Sequence, residues 1–275
     1  MKRIAAIQMA SGPNVTANLN EAGRWISYAV DAGADLIVLP ENFALMAMQQ
    51  NDLLSIQESQ GVGPVQEFLM NMCNKHRVWI VSGTVPIITD DSRHVRAACF
   101  LINPDGEIVS RYDKIHLFDV SLEDGERYAE SDIIQAGNDI IVQDTPFGRM
   151  GFAVCYDLRF PEMFRRMVDQ GVDLIVIPAA FTALTGKAHW ESLVRARAIE
   201  NLCYVVASAQ GGYHANGRET YGDSMIVDPW GEIKDRLARG SGFVIADLDQ
   251  EKTKLIRKQF PAIEHRKLEC YKKSS

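Results

Sequence analysis

A chain of 275 residues allows one large or two small domains, and 47% hydrophobic residues suffice for a sizeable core, so disorder is not expected. A net charge of −7 argues against nucleic acid or an anionic membrane surface as partner. Five cysteines (73, 99, 155, 203 and 270) stand singly without a CxxC, which points to a reducing compartment rather than a disulfide framework. Cys73, Cys99 and Cys203 fall inside apolar patterns and are expected in the core. The chain starts Met-Lys-Arg and runs straight into a strand. No signal segment precedes that strand and no apolar run reaches membrane-spanning length, so a soluble cytoplasmic protein is expected.

In chain order, residues 4–10 read as a strand and 18–32 as a helix with Ala22, Trp25, Ile26 and Ala29 on one face. Residues 35–40 form a second strand, apolar throughout, as when both faces of a sheet are covered. Residues 42–62 are polar and rich in Met and Gln, and read as a loop over a site. A helix is expected at 64–76, a strand at 78–86, and a hairpin at 97–112 around Asn-Pro-Asp-Gly. Residues 150–154 form a short buried strand that delivers Cys155 to its end, and Pro161 with Glu162 opens a helix. A cysteine on such a turn suits a nucleophile, with backbone N–H groups near for an oxyanion and a helix end that favours thiolate. A small buried apolar cysteine is the plainer alternative. Strand 173–178, helix 188–201, strand 203–209 and a hairpin at 224–236 follow.

The order thus repeats, and so do residues. Gly33-Ala-Asp-Leu-Ile-Val-Leu-Pro-Glu-Asn-Phe43 parallels Gly171-Val-Asp-Leu-Ile-Val-Ile-Pro-Ala-Ala-Phe181, and Asn103-Pro-Asp-Gly-Glu-Ile108 parallels Asp228-Pro-Trp-Gly-Glu-Ile233. Two similar α/β halves with sheets face to face and helices outside, as one four-layer domain over 1–275, account for this economically. The repeat has one telling difference: Glu41 stands where the second half has Ala179. A carboxylate at a strand end lies where α/β proteins place ligands, although a turn cap would also explain it. Phe43, Leu45 and Met46 give it apolar surroundings, so Glu41 can serve as a general base. Lys114 follows the first hairpin and can stabilise a developing oxyanion, although alone a lysine there is ordinarily a solvated charge.

Leu39-Pro-Glu41, Tyr112-Asp-Lys-Ile-His116 and Gly151-Phe-Ala-Val-Cys-Tyr-Asp-Leu-Arg-Phe-Pro-Glu162, taken together, resemble the carbon–nitrogen hydrolase (nitrilase) superfamily along nearly the whole chain. The resemblance implies an αββα sandwich, a catalytic triad of Glu41, Lys114 and Cys155, no metal or cofactor, and a homodimer or higher homo-oligomer paired through helices beside the cysteine turn. A second glutamate of the family site matches Glu130 in Tyr128-Ala-Glu-Ser131, with Glu123 and Glu126 close by. Scattered histidines without H-E-x-x-H spacing likewise give no metal motif. Thr185-Gly-Lys-Ala-His-Trp190, Arg195-Ala-Arg-Ala-Ile-Glu-Asn201, Val206-Ala-Ser-Ala-Gln210 and Tyr221-Gly-Asp-Ser-Met-Ile-Val-Asp-Pro-Trp-Gly231 are most similar to the Nit branch, the deaminated glutathione amidases. The sister omega-amidases, which act on 2-oxoglutaramate, share part of this pattern. The resemblance implies hydrolysis of an amide beside a 2-oxo acid group. Arg159 and Thr185, with Tyr156, are the candidates for binding that acid, while an ion pair of Arg159 with Asp157 or Glu162 is the structural alternative. A Cys-His hydrolase using His116, His189 or His214, and a non-catalytic binding protein, are the rival readings.

Overall fold

Strand residues point alternately to the two faces of a sheet, and here both sets are apolar, so each sheet must be covered on both faces. The computed structural model describes residues 2–121 and 127–268; Cys270, Glu123 and Glu126 lie outside them. The first half runs β1 (Lys2–Gln8), α1 (Val15–Asp31), β2 (Leu36–Val38), the one-turn α2 (Asp52–Ser55), α3 (Pro64–His76), β3 (Trp79–Val81), β4 (Val85–Ile88), β5 (Val95–Ile102) and β6 (Ile108–Asp113). A small hairpin follows, β7 (Asp119–Ser121) and β8 (Arg127–Ala129). The second half runs β9 (Val142–Thr145), β10 (Gly148–Phe152), α4 (Pro161–Asp169), β11 (Leu174–Ala179), α5 (Ala183–Asn201) and β12 (Tyr204–Ala209). It continues with β13 (Gly211–Tyr213), β14 (Glu219–Tyr221), β15 (Ser224–Val227), β16 (Ile233–Leu237), β17 (Gly242–Leu248) and α6 (Gln250–Gln259).

One sheet has the order β17-β1-β2-β3-β5-β4, with β6 on the other side of β5, and the second β16-β15-β12-β11-β10-β9. In each, three parallel strands are followed by an antiparallel hairpin and bordered by an antiparallel strand, β17 on β1 or β9 on β10. The sequence repeat is therefore a repeat of topology. Its aspartates do equivalent work. Asp35 accepts from the Arg3 backbone N–H at 2.9 Å, and Asp173 from that of Arg149 at 3.0 Å.

Ile4, Ala6, Leu36 and Val38 pack in one core with Val176, Val206 and other residues of the second sheet, while Ala5, Ile7, Ile37 and Leu39 pack with Ala22, Ile26 and Leu69 of α1 and α3. Phe164, Met167, Trp190 and Val194 of α4 and α5 extend the first of these cores. The result is the four-layer αββα sandwich. On α1, Asn18, Ala22, Ile26 and Ala29 are the buried residues, spaced for one face, and the Asn14 side chain caps its start by accepting from the Ala17 N–H. Burial of Ile26 alone contributes about 1.5–3 kcal/mol.

Several expectations need correction. The apolar run at 78–86 is two strands, β3 and β4, parted at Gly83, whose φ is +68° and where a Cβ would lie 2.1 Å from the Pro40 carbonyl oxygen. Helix α5 begins at Ala183 rather than 188, because the Thr182 side chain accepts from the Thr185 N–H and starts it. The stretch expected as loop at 42–62 includes the one-turn α2. The edge strands β9 and β17, the hairpins β7–β8 and β13–β14, and α6 lie where the sequence reading places no element.

Candidate active site

The site gathers where β2, β10 and β11 end, the edge at which parallel strands present ligand-binding loops. Leu39-Pro40 carries the chain from β2 to Glu41, which is 4% exposed and lines a cavity with the buried Leu45 and Met46, while Phe43 is buried in the core with Leu39. The backbone here is pinned from two sides. Gln210 donates to the Glu41 carbonyl at 3.0 Å, and the Asn42 N–H donates to Thr84 Oγ1 at 2.9 Å.

Lys114 continues β6, its N–H bonded to the Ala97 carbonyl. It is not a solvated strand-end charge: its side chain is 2% exposed. Its ammonium Nζ donates to Glu41 Oε1 at 2.8 Å and to Glu130 Oε1 and Oε2 at 2.8 and 2.9 Å. Burial opposes the lysine charge, but the Glu130 and Glu41 carboxylates outweigh it and hold the Lys114 pKa well above the ordinary value. Glu130 sits on a short 3₁₀ turn, Glu130–Asp132, and also accepts from the Phe118 N–H at 2.7 Å. Burial raises its pKa, against the pull of Lys114, and the Glu41 charge adds to the rise.

Cys155 opens a 3₁₀ turn, Cys155–Arg159, with φ +47°, a left-handed conformation that is strained for a residue with a Cβ. The Asp157 carboxylate holds this turn. It is fully buried and accepts from the Val154 N–H at 2.8 Å, the His116 N–H at 3.0 Å and the Tyr112 hydroxyl at 2.6 Å, with His116 Nδ1 2.7 Å away. One carboxylate thus ties the Cys155 turn to the segment that carries Lys114. The expected pull toward thiolate is reversed. Burial, then the Glu41 charge, pushes the Cys155 thiol well above its ordinary pKa, and α4 begins only at Pro161. The Lys114 charge and the Ala180 backbone N–H oppose that rise.

These groups line a cavity of about 600 Å³, within the range of small-molecule sites. Tyr156, Arg159 and Thr185 line it too. Arg159 forms no ion pair with Asp157 or Glu162. Its guanidinium lies over the Phe181 ring at 5.0 Å and the Tyr156 ring at 5.8 Å, with Nη1 3.1 Å from His189 Nδ1. The Thr185 hydroxyl is 2.8 Å from that of Thr182. No histidine among the described residues lines the cavity: His116 is held by Asp157, and His214 lies between the Ser11 carbonyl and the Thr220 hydroxyl. The sequence reading passed over Asp157 and the Ala180 N–H as site groups, and it placed the polar, Gly-containing loop 210–220, which holds Gln210 and Arg218, on the leaving-amine side without singling out either residue.

The two-sheet sandwich that carries these residues is found in other proteins. Residues 3–258 match the profile of the carbon–nitrogen hydrolase family. A deaminated glutathione amidase of Synechocystis sp. is 42% identical over 266 residues, covering 95% of this chain and 97% of that protein. Among solved structures, the Caenorhabditis elegans NitFhit protein superposes with a TM-score of 0.90 at 35% identity; the alignment covers 96% of this chain, which spans 65% of that longer one. Saccharomyces cerevisiae Nit3, a member of branch 10 of the nitrilase superfamily, superposes with a TM-score of 0.87 at 28% identity over 97% of both chains. With the motifs, the doubled topology and this coverage in agreement, the chain belongs to the carbon–nitrogen hydrolase family.

Proposed function

We propose that this protein is an amidase that hydrolyses deaminated glutathione to 2-oxoglutarate and cysteinylglycine through a cysteine thioester. The observation that carries the chemistry is Lys114 Nζ bridging Glu41 and Glu130, 2.8 Å from each, in the cavity that the buried Cys155 also lines. The substrate is supported by the name of the Synechocystis relative and by a cavity roomy enough for a peptide leaving group.

Because the resting thiol is protonated, proton transfer accompanies attack. Glu41 takes the Cys155 proton as Sγ bonds to the amide carbon. Lys114 and a backbone N–H of the cysteine turn hold the oxyanion, and Glu130 keeps Lys114 aimed. Collapse breaks the C–N bond, Glu41 protonates the departing amine, and the thioester remains. Glu41 then takes a proton from water, the oxygen attacks the thioester carbon, and Cys155 leaves with that proton returned. Arg159, Thr185 and Tyr156 bind the 2-oxo acid end. Among the described residues, Cys73, Cys99, Cys155 and Cys203 are buried and unpaired, which supports a reducing cytoplasmic setting. Exposed Leu184 and Ile199 on α5 support a homodimer, with 1–275 acting as one domain.

The test is steady-state kinetics on deaminated glutathione and 2-oxoglutaramate, with intact-mass measurement of Glu41→Gln. The expected results are a kcat/KM at least about tenfold higher for deaminated glutathione, an acyl adduct on Cys155, and no turnover by folded Cys155→Ala. A preference for 2-oxoglutaramate would move the chain to the omega-amidase reading, and turnover by Cys155→Ala would overturn the mechanism.

A further inference from the structure

Beyond the triad, the cavity wall carries a series of rings with an arginine at each end. Arg159 lies over Tyr156 at 5.8 Å, Tyr156 meets Phe118 at 5.1 Å, Phe118 meets Tyr128 at 5.0 Å, and the Arg218 guanidinium lies over Tyr128 at 4.7 Å. All five side chains line the one cavity. The reacting groups sit against the middle of the series, because Tyr156 directly follows Cys155 and the Phe118 N–H donates to Glu130.

Arg218 is held in place but left unpaired. It stands on the β13–β14 hairpin, where its N–H donates to Asn216 Oδ1 at 3.0 Å and its carbonyl accepts from the His214 N–H at 2.9 Å. Asn216 in turn donates to the Ala47 carbonyl at 2.8 Å, joining the hairpin to the segment after Glu41. The buried His214, between Ser11 and Thr220, fixes the hairpin's base. Among the described residues no carboxylate pairs with Arg218, and its Nε is buried without a hydrogen-bond partner. A guanidinium stacked on a ring keeps its in-plane N–H edge free, and that edge fits a carboxylate bidentately. A buried donor left unsatisfied is costly until a ligand satisfies it.

We propose that Arg218 reads a carboxylate on the leaving-amine side of the scissile amide, so that the enzyme selects amides whose amine part ends in a free acid, as a peptide C-terminus does. This rests on the reading above in one respect: if Arg159 takes the acid of the acyl part, the far end of the ring series faces the amine part. A substrate with an acid at each end spans the series, with its amide over Cys155. An amide that releases only ammonia leaves Arg218 unused.

The experiment compares deaminated glutathione with its C-terminal carboxamide, in wild type, Arg218→Gln and Arg218→Lys. In wild type the acid should exceed the carboxamide in kcat/KM by about 10–100-fold. Arg218→Gln should bring that ratio to within about twofold of one, chiefly through KM, and Arg218→Lys should restore part of it. A wild-type ratio near one, or a loss in Arg218→Gln that is equal for both substrates, overturns the proposal. If wild type cleaves neither, the substrate reading falls, and calorimetry decides on Arg218 alone. Cysteinylglycine binding wild type about tenfold more tightly than cysteinylglycinamide, a preference lost in Arg218→Gln, upholds it; equal binding overturns it.

Discussion

Lys114 is one positive charge between two carboxylates, and it does two tasks at once. It cancels part of the charge of Glu41 and Glu130, and in the proposed mechanism it presents an N–H to the reacting carbonyl. Lys114→Met removes both. Loss of an oxyanion donor lowers kcat by about 10²–10³. Breaking a buried pair also destabilises by about 3–5 kcal/mol, because the remaining carboxylates face each other without a counter-charge. The pH dependence follows from the direction of the Glu130 shift. Carboxylates with native pKa values raised above the unfolded value favour folding below that unfolded value and lose the contribution as pH rises through the native one. Glu130 is already raised in the intact site, and removing Lys114 raises it further. The deficit of Lys114→Met relative to wild type should therefore be larger at pH 8 than at pH 5. Thermal unfolding at both values measures it, and a deficit independent of pH would mean that the lysine does not balance these carboxylates.

At the scale of elements, the placement of Glu41 depends on how closely β2 approaches the β3–β4 break. Gly83 makes that approach possible, with positive φ and its Cα against the Pro40 carbonyl. Gly83→Ala adds a left-handed penalty of roughly 1–2 kcal/mol and pushes Pro40, and with it Glu41, away from the thiol. A shift of about 1 Å at a reacting group costs on the order of 10² in rate. Gly61→Ala is the control: φ there is also positive, +81°, but a Cβ would meet nothing within 4 Å. The expected outcome is a left-handed penalty alone in Gly61→Ala, and a larger loss of stability together with a fall in kcat in Gly83→Ala. Equal kcat in the two variants would separate Gly83 from the site. The same region shows what a sequence makes legible. Residues 36–39 are readable because a parallel strand buried on both faces is a continuous apolar run ending at Pro40. The β3–β4 break is not readable, since Gly83 interrupts the run only through contact with Pro40, far away in sequence. Strand β9 escapes because a one-sided edge strand mixes polar and apolar residues, as Val142-Gln-Asp-Thr145 does. Glu41, Lys114 and Cys155 stand in local motifs. Arg218, in a turn of Asn and Gly, resembles any solvated loop arginine until the fold sets it over Tyr128.

Across the whole molecule, two glutamines join the halves of the sandwich. Gln8, at the end of β1, accepts from the Ser224 N–H at 2.8 Å and donates to the Gly240 carbonyl at 2.8 Å. Gln210, just past β12, accepts from the Ser11 N–H at 3.0 Å and donates to Ser11 Oγ at 2.8 Å and the Glu41 carbonyl at 3.0 Å. Both are fully buried, and each satisfies backbone groups that no water reaches. They differ in one respect: only Gln210 touches Glu41, the base of the proposed mechanism. Replacing either by leucine leaves two backbone groups without partners, at about 1–3 kcal/mol each. The two variants should therefore lose stability to a similar degree. Gln210→Leu should also lose kcat, because the Glu41 backbone is freed at its carbonyl, whereas Gln8→Leu should turn over like wild type once correctly folded. Denaturant unfolding and kcat measured on the same preparations separate the effects. If Gln210→Leu keeps its kcat, Pro40 and Gly83 suffice to place the base, and the inter-sheet glutamines contribute to stability alone.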